Sequence, residues 1–257
     1  MSNTRDYTIA AVDRALTVLE ALAAHPRQGV TELSRRLDLT KSVVFRLLST
    51  LEIRGFVVRK GDRPVYSLGY RMGVLGEQAG LQNTLLSAAR PTMEQLREDT
   101  AENINLVIRE GTKSLVLATL AGHHAMRIFA NTGRYGPLHA GGGSMLLLAF
   151  APLALRDEVL AGHLQKFSAN TMTNPIDLLA KLDSICTDGF NIAIDDLDEG
   201  AFSIAAPIRN ASGDVIASLS VAGAVARWDE IRRRRFLALT QEAAAEISGK
   251  LQISDLD

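Results

Sequence analysis

Along the first quarter of the chain, apolar residues recur at the three-to-four-residue spacing of an α-helix. The first stretch predicts an amphipathic helix over residues 10–24, because its apolar side chains share one face: Val12, Leu16, Leu19 and Ala23. A short second helix is expected from Thr31, whose hydroxyl can cap the first turn. After the tight connection at residues 38–40, Thr40 can cap a third helix.

The third predicted helix has two different faces. One is apolar and is expected to be buried: Val44, Leu47, Leu48 and Leu51. The other is small, polar and basic: Lys41, Ser42, Arg46 and Ser49, flanked by Val43 and Phe45. A short helix, a three-residue turn and a second helix of this kind predict a helix-turn-helix. The outer face suits the DNA major groove, because small side chains allow close approach and Arg46 can reach a phosphate or a guanine edge.

A β-hairpin with a basic tip is predicted after Gly55. Residues 56–60 and 65–68 have strand character and flank a turn at residues 61–64. The basic side chains near its tip would lie beside a flanking phosphate or the minor groove. Together these segments predict the following DNA contacts: Thr31, Lys41, Ser42, Val43, Phe45, Arg46, Ser49, Arg59, Lys60 and Arg63.

The plain alternative is that residues 10–68 form an ordinary core of helices and a hairpin whose charges face solvent. Each segment alone favours that alternative, since helix pairs are common. The order of helix, helix-turn-helix and basic hairpin is much harder to reach by chance. Residues 1–70 also carry 11 basic and 7 acidic side chains, a net charge of +4, whereas the remaining residues carry −5. A basic first module indicates a polyanionic partner, and DNA binding is the favoured interpretation.

The rest of the chain predicts an α+β domain. From Asn103 the apolar period changes to two, and Ile104, Leu106 and Ile108 alternate with polar residues. A later pair of strands brackets a turn at residues 210–214, and residues 178–186 and 230–251 form amphipathic helices. Strands, helices at intervals and antiparallel hairpins indicate an α+β fold.

A glycine-rich segment is the most informative local feature of this second part. Gly141, Gly142, Gly143 and Ser144 precede an apolar helical run. Glycines let the backbone approach a ligand closely, and the free N–H groups at a helix start favour an anion such as a carboxylate. The alternative is a flexible turn that merely lets the helix pack, and the residues alone do not separate the two. The segment lacks the Gly-Lys-Ser/Thr ending of a P-loop, which argues against nucleotide hydrolysis.

Composition excludes several classes of protein. The chain has 257 residues, a length that suggests one large domain or two ordinary ones. Its single cysteine, Cys186, excludes a disulfide framework within a monomer and agrees with a reducing compartment. No apolar stretch approaches the roughly 20 residues that cross a bilayer, and the N-terminus has no signal-peptide core. A soluble cytoplasmic protein without membrane contact is expected.

No catalytic, metal or cofactor site is predicted. The adjacent His123 and His124 would point to opposite faces of a strand, without a carboxylate or cysteine at ligand spacing. The segment around Ser144 (residues 142–146, GGSML) lacks the second glycine of a nucleophile elbow, and the sequence offers no third catalytic group to accompany Ser144 and His139. The basic run at residues 232–235 is expected to face solvent or to form salt bridges in a dimer. The chain is therefore not expected to be an enzyme.

Several segments together resemble the IclR family of bacterial transcriptional regulators. Residues 11–19 (AVDRALTVL) are similar to the family's opening helix, and residues 37–51 (LDLTKSVVFRLLSTL) to its turn and recognition helix. Residues 137–140, 147–149 and 189–208 are similar to parts of its C-terminal domain. The resemblance spans about residues 8–250 and implies a winged helix-turn-helix, a linker helix and a GAF-like α/β effector-binding domain with an antiparallel sheet. The implied bounds are 8–69, 70–90 and 91–252.

The chain also departs from the family pattern at its second domain. Residues 140–146 (AGGGSML) replace a Thr-Ala-x-Gly-Lys-Ala type of segment, and the acidic stretch before Gly200 is two residues shorter. Ser203 stands where many members have cysteine, and Ala222 replaces the second hydroxyl of a Ser-x-Ser pattern. The pocket residues that the resemblance implies are Leu106, Gly141, Gly142, Gly143, Ser144, Asp195, Ser203 and Ser220. From the residues alone, Asp195 is more consistent with capping the following turn.

The resemblance implies a regulator, a repressor by family tendency, that binds a palindromic operator in double-stranded DNA as a homodimer or a dimer of dimers. Its small-molecule effector is expected to be an organic acid. Two alternatives stay open: an activator of a catabolic operon with the same architecture, and a constitutive DNA-binding protein without a ligand.

Overall fold

The structure is a computed structural model that describes residues 8–82, 84–124 and 131–254. The chain divides into two compact units, Met1–Gln82 and Asn83–Asp257. Within the described ranges, every helix is too short or too polar to form a transmembrane span.

The N-terminal unit is a winged helix-turn-helix, as the sequence predicts. Its small core is formed by apolar side chains from the first three of its four helices and from both strands, among them Val18, Leu22, Leu33, Leu48 and Tyr66. The two strands pair antiparallel as the wing. Its elements are α1 (Ala10–Ala24), α2 (Val30–Arg36), α3 (Lys41–Ile53), β1 (Val57–Lys60), β2 (Val65–Leu68) and α4 (Tyr70–Gln82).

Three details of this unit differ from the prediction. In α1 the buried side chains are Val18, Ala21 and Leu22, whereas Val12, Leu16 and Ala23 of the predicted apolar face are exposed. Thr40 stands at the N-cap of α3 but makes no side-chain cap hydrogen bond, and Thr31 does not cap α2. The helix begins at Val30 with Gly29 as its N-cap residue. The Gly29 N–H donates to the Glu32 carboxylate at 2.9 Å, so a side chain three residues along satisfies this backbone donor. Thr31 is exposed in the first turn.

The C-terminal unit is an α+β domain built on one antiparallel sheet of six strands in the order β5-β4-β3-β8-β7-β6. Helix α5 passes through Pro91, the residue at which the sequence predicts the second domain to begin. The elements are α5 (Thr84–Thr100), β3 (Asn103–Glu110), β4 (Lys113–Leu120), β5 (Tyr135–Pro137), α6 (Gly142–Ala149), α7 (Leu153–Ala161), α8 (Pro175–Asp188), β6 (Asn191–Ile194), β7 (Ala201–Arg209), β8 (Val215–Ala224), a 3-10 turn (Val225–Arg227) and α9 (Glu230–Ser254).

The sheet buries both of its faces, because its strands carry apolar side chains on each side. On one face, Ile104 and Leu106 pack with residues of α5 and α9 such as Met93 and Ile247. On the other face, Val107 packs with the apolar side chains of α6 and α8. The start of α6 is therefore held directly over the middle of the sheet, and this position creates the candidate pocket.

Candidate DNA-binding surface and ligand pocket

The predicted outer face of α3 is open within its own unit. Val44 and Leu48 are fully buried, whereas Lys41, Ser42 and Arg46 are exposed. Phe45 is 52% exposed, although it is a large aromatic side chain. Val43 and Ser49 are half-buried at the margins of this face. The helix thus presents small, basic and apolar groups together, which is the mixture needed to contact phosphates, base edges and thymine methyl groups.

The two cations of this face, Lys41 and Arg46, are available to bind DNA phosphates or bases. Within the part of the chain that the structure describes, neither Lys41 nor Arg46 forms a salt bridge. Ser49 donates a hydrogen bond to the Phe45 carbonyl at 2.8 Å, so its hydroxyl is turned back onto the helix. Lys41 and Arg46 therefore supply the charge of this surface.

The wing carries the second set of predicted DNA contacts. Arg59 and Lys60 lie in β1 opposite Tyr66 and Val65, and both are exposed, as is Arg63 in the turn. A backbone bridge fixes the hairpin to the α1–α2 connection. The Gln28 N–H donates to the Tyr66 carbonyl at 3.2 Å, and the Tyr66 N–H donates to the Gln28 carbonyl at 2.8 Å. The wing is thereby held in a defined place beside the helix-turn-helix.

In the C-terminal unit, a cavity of about 100 Å³ lies between the start of α6 and the sheet. Six of the eight predicted pocket residues line it: Gly141, Gly142, Gly143, Ser144, Ser203 and Ser220. Further polar lining residues that sequence reasoning missed are Asn105, Ser114, Arg134, Asp196 and Asp198.

Two predicted pocket residues point elsewhere. Leu106 is fully buried in the apolar core on the opposite face of the sheet, because successive side chains of β3 alternate between faces. Its neighbours Asn105 and Val107 line the cavity instead. Asp195 accepts a hydrogen bond from the Gly200 N–H and so closes the turn before β7. The pocket prediction is wrong at Leu106, and at Asp195 the turn-capping role matches the geometry.

The glycines at the start of α6 are explained first by packing. A Cβ atom on Gly142 would lie 2.5 Å from Ser203 Oγ, and one on Gly143 would lie 2.7 Å from Ser218 Oγ. Gly142 is needed for α6 to lie against β7, because Ser203 Cβ and the Ser203 carbonyl oxygen would also lie within 3.1 Å of the added atom. At Gly143 an added Cβ would force the Ser218 hydroxyl away from the Gly143 carbonyl to which it donates a hydrogen bond. Gly141 adopts a φ of 87°, in the region that side chains other than glycine rarely occupy.

The anion that the sequence predicts at this helix start is supplied by the chain itself. The Gly141 N–H donates to Asp196 Oδ2 at 2.8 Å. Burial raises the pKa of the Asp196 carboxyl, an effect that backbone N–H groups, including that of Gly141, oppose and that the nearby Asp198 reinforces. A side-chain carboxylate therefore already occupies part of the favourable position at the N-terminus of α6.

Other polar groups of the pocket form three hydrogen-bonded pairs. Ser144 donates to Ser114 Oγ at 2.8 Å, so these two hydroxyls satisfy each other. Arg134 makes a two-pronged ion pair with Asp198, with N–O distances of 3.3 and 3.2 Å. Asn105 Oδ1 accepts from Thr119 at 3.1 Å, which leaves its amide hydrogens for the cavity. The alternation of β3 was a usable signal for Asn105, whereas no local pattern marked Arg134 or Asp198.

The histidines singled out in the sequence contact other groups: His123 Nε2 lies 3.0 Å from Glu98 Oε2, and His124 Nε2 lies 3.6 Å from Glu102 Oε1. Within residues 8–82, 84–124 and 131–254, no three His, Cys, Asp or Glu side chains are placed to hold a metal ion. His139 Nε2 hydrogen-bonds the Gln165 carbonyl at 2.9 Å, and Ser144 is engaged with Ser114. His139 and Ser144 therefore do not form a base and nucleophile pair.

Comparison with known proteins matches both units to one family. The profile of the IclR helix-turn-helix domain matches residues 11–61, and that of the bacterial transcriptional regulator IclR C-terminal domain matches residues 79–249. The HTH-type transcriptional regulator BhcR of Paracoccus denitrificans is 33% identical over 93% of this chain and 86% of its own length. The HTH-type transcriptional repressor AllR of Escherichia coli is 29% identical over 94% and 90%.

Solved structures agree on the fold. An IclR transcriptional regulator from Alicyclobacillus acidocaldarius superposes with a TM-score of 0.89 at 24% identity, covering 95% of this chain and 99% of that one. An IclR homologue from Microbacterium hydrocarbonoxydans, solved with 4-hydroxybenzoate, gives a TM-score of 0.83 at 28% identity, covering 94% and 98%. The similarity thus extends over both units.

Proposed function

The chain belongs to the IclR family of bacterial transcriptional regulators, and on that premise we propose that it is a repressor whose operator binding is changed by a small carboxylate metabolite. Its relatives are regulators of transcription and not enzymes. We further propose that it acts in the cytoplasm and binds a palindromic operator as a homodimer or a dimer of dimers. Light scattering of the free and operator-bound protein measures the stoichiometry.

The observation that carries the DNA-binding role is the open outer face of α3. Its exposed Lys41, Ser42 and Arg46 stand opposite the buried stripe, and the cations have no internal carboxylate partner within the described residues. The wing adds Lys60 and Arg63 to the same unit. A recognition helix in the major groove with basic contacts beside it is a common arrangement for DNA readout.

Arg46→Ala is expected to weaken binding to the specific operator by about 1–3 kcal/mol, because the guanidinium is the group on this face best suited to a base edge. Binding to a scrambled duplex should weaken much less. Fluorescence anisotropy with both duplexes measures the difference. Arg90→Ala removes the same charge from an exposed position in α5 and serves as the control. An equal loss on both duplexes would restrict Arg46 to a phosphate contact.

Lys60→Ala and Arg63→Ala should each reduce the slope of log affinity against log salt concentration by about one unit, since each cation that neutralises a phosphate releases a counterion. The slope is obtained by titrating the operator complex at several salt concentrations. Lys166→Ala, an exposed lysine of the C-terminal unit, should leave it unchanged. An unchanged slope in the wing variants would remove these side chains from the DNA interface.

The effector role is supported by the pocket at the start of α6. Its cavity of about 100 Å³ is lined by apolar groups and by a few polar side chains, including Asn105, Ser203 and Ser220. Such a combination is typical of small-molecule sites, and the modest volume favours a small ligand. The homologue from Microbacterium hydrocarbonoxydans was solved with a carboxylic acid, 4-hydroxybenzoate.

An effector can change operator affinity only by the difference in its affinity for the DNA-competent and incompetent arrangements, typically about 1–3 kcal/mol. The test is to titrate the operator complex with small carboxylates. The repressor proposal predicts that one of them raises the Kd for DNA. If the same ligand instead tightens binding or leaves it unchanged while transcription rises, the activator alternative is favoured. If no metabolite changes the affinity, the protein binds DNA constitutively.

A further inference from the structure

The charged side chains that line the pocket are more acidic than basic. Among the residues that the structure describes, its charged side chains are one cation, Arg134, and two carboxylates, Asp196 and Asp198. Arg134 is bound by Asp198 through two hydrogen bonds, and Asp196 is bound by the Gly141 N–H. When ionised, these three side chains together carry a net charge of −1, and both Arg134 and the Gly141 N–H already have a carboxylate partner.

A simple monoanionic acid is a poor match for this lining. Its carboxylate would raise the negative charge of a partly enclosed cavity, and it could reach Arg134 or the Gly141 N–H only by displacing Asp198 or Asp196. A carboxylic ligand that also carries an ammonium group avoids this conflict, because its positive charge pairs with the carboxylate that is displaced. The charge balance of the pocket thus favours a ligand with both groups.

The pocket also contains donors that suit the carboxylate of such a ligand. Asn105 is 5% exposed and Ser220 is 3% exposed, and both line the cavity. Asn105 Oδ1 is used by Thr119, and no partner for the Asn105 amide nitrogen or the Ser220 hydroxyl occurs within the described residues. Buried polar groups are normally hydrogen-bonded, so these two side chains indicate a ligand with acceptor atoms at this end of the cavity.

Building on the effector role above, we propose that the pocket takes a small zwitterion of the α-amino acid type. Its ammonium group lies against the carboxylates of Asp196 and Asp198, and its carboxylate is bound by Asn105, Ser220 and the guanidinium of Arg134. The small volume, about 100 Å³, restricts the side chain of this ligand to a few atoms. The raised pKa of the Asp196 carboxyl agrees with a buried acid that gains from a cationic partner.

The test uses three matched sets of probes: glycine, alanine and serine; the hydroxy acids glycolate, lactate and glycerate; and the amines methylamine, ethylamine and ethanolamine. Isothermal titration of the full chain without DNA measures each affinity. At least one amino acid should bind about tenfold or more tightly than its matched hydroxy acid and amine, since each analogue leaves one charged group of the site unpaired. The proposal is overturned if a hydroxy acid or an amine binds as tightly, or if none of the amino acids binds.

A pair of variants separates charge recognition from general effects on the loop. Asp198→Asn removes one of the two carboxylates from the proposed ammonium position, so the preference for the amino acid over the hydroxy acid should fall by about tenfold or more. Glu199→Gln changes the next residue, which is exposed and lies outside the lining, and should keep the preference. Equal preferences in wild type and Asp198→Asn would contradict the proposed ammonium site.

The outcome is distinguishable from failure of the effector role. An amino acid that binds without changing operator affinity supports the zwitterion site and overturns its role as an effector. If a hydroxy acid releases the operator and no amino acid binds, the effector role is supported and the zwitterion site is overturned. Operator binding by the ligand-free protein is independent of both results.

Discussion

Replacing Leu48 with alanine is expected to destabilise the N-terminal unit by about 2–5 kcal/mol, the range found for emptying a well-packed core position. Leu48 is 0% exposed and packs among apolar side chains of α1, α2 and the wing. A unit of this size has a small core and a correspondingly small margin of stability. The loss is therefore expected to unfold a large share of the unit and to reduce DNA binding accordingly.

Hydrogen exchange measured peptide by peptide checks this result, because it follows the N-terminal unit separately in a chain of two units. Amides of α1 and α3 should lose protection, while those of the C-terminal sheet keep it. Ile53→Ala provides the control, since Ile53 lies on the same helix but is 84% exposed. Its effect should stay within about 0.5 kcal/mol. Equal effects of the two variants would show that the apolar stripe of α3 does not hold this unit together.

Replacing Gly142 with valine should destabilise the C-terminal unit and abolish the ligand response while operator binding is retained. The new Cβ would lie 2.5 Å from Ser203 Oγ and 3.1 Å from the Ser203 carbonyl oxygen, so α6 has to move away from β7. Overpacking of this kind costs about 1–3 kcal/mol or more. Movement of α6 also displaces Gly141 and Ser144 from the pocket lining.

The change is followed by thermal unfolding monitored through Trp228, whose ring lies 4.7 Å from that of Phe202, the neighbour of Ser203 in β7. The transition temperature should fall in Gly142→Val. Gly249→Val places the same side chain in α9, where the added Cβ would meet no atom within 4 Å, and should have a much smaller effect. A normal transition with a full ligand response would mean that close packing at the start of α6 is dispensable.

The N-terminal unit could be predicted from local pattern, because each of its elements is specified by residues close in sequence. The stripe of Val44 and Leu48 fixes which side of α3 is buried, and the outer face follows from it. The prediction placed the start of α2 too late, because the sequence offers two side chains that can cap this helix, Thr31 and Glu32. Thr31 offered a hydroxyl, but Glu32 reaches back to Gly29 and moves the start of the helix toward the N-terminus.

The pocket was only partly predictable. The glycine run marked the start of α6, and the period of β3 could have assigned Asn105 to the cavity and Leu106 to the core. The family pattern suggested Leu106, and the alternation of the strand overrides it. The charged lining could not be predicted from the sequence, because Asp196 and Gly141 are 55 residues apart in the chain and Asp198 and Arg134 are 64 apart. Contacts of this kind depend on how the sheet and its loops are assembled, and local spacing does not encode them.

The most direct test of the account is a competition between two duplexes of equal length and composition for the full chain. One is enriched by this protein from a random-sequence pool, and the other is its scrambled counterpart. If the outer face of α3 reads bases, the enriched duplex should bind about a thousandfold or more tightly at physiological salt. Equal affinities for the two duplexes, or failure to enrich any sequence at low ionic strength, would contradict the assignment of this face to DNA recognition.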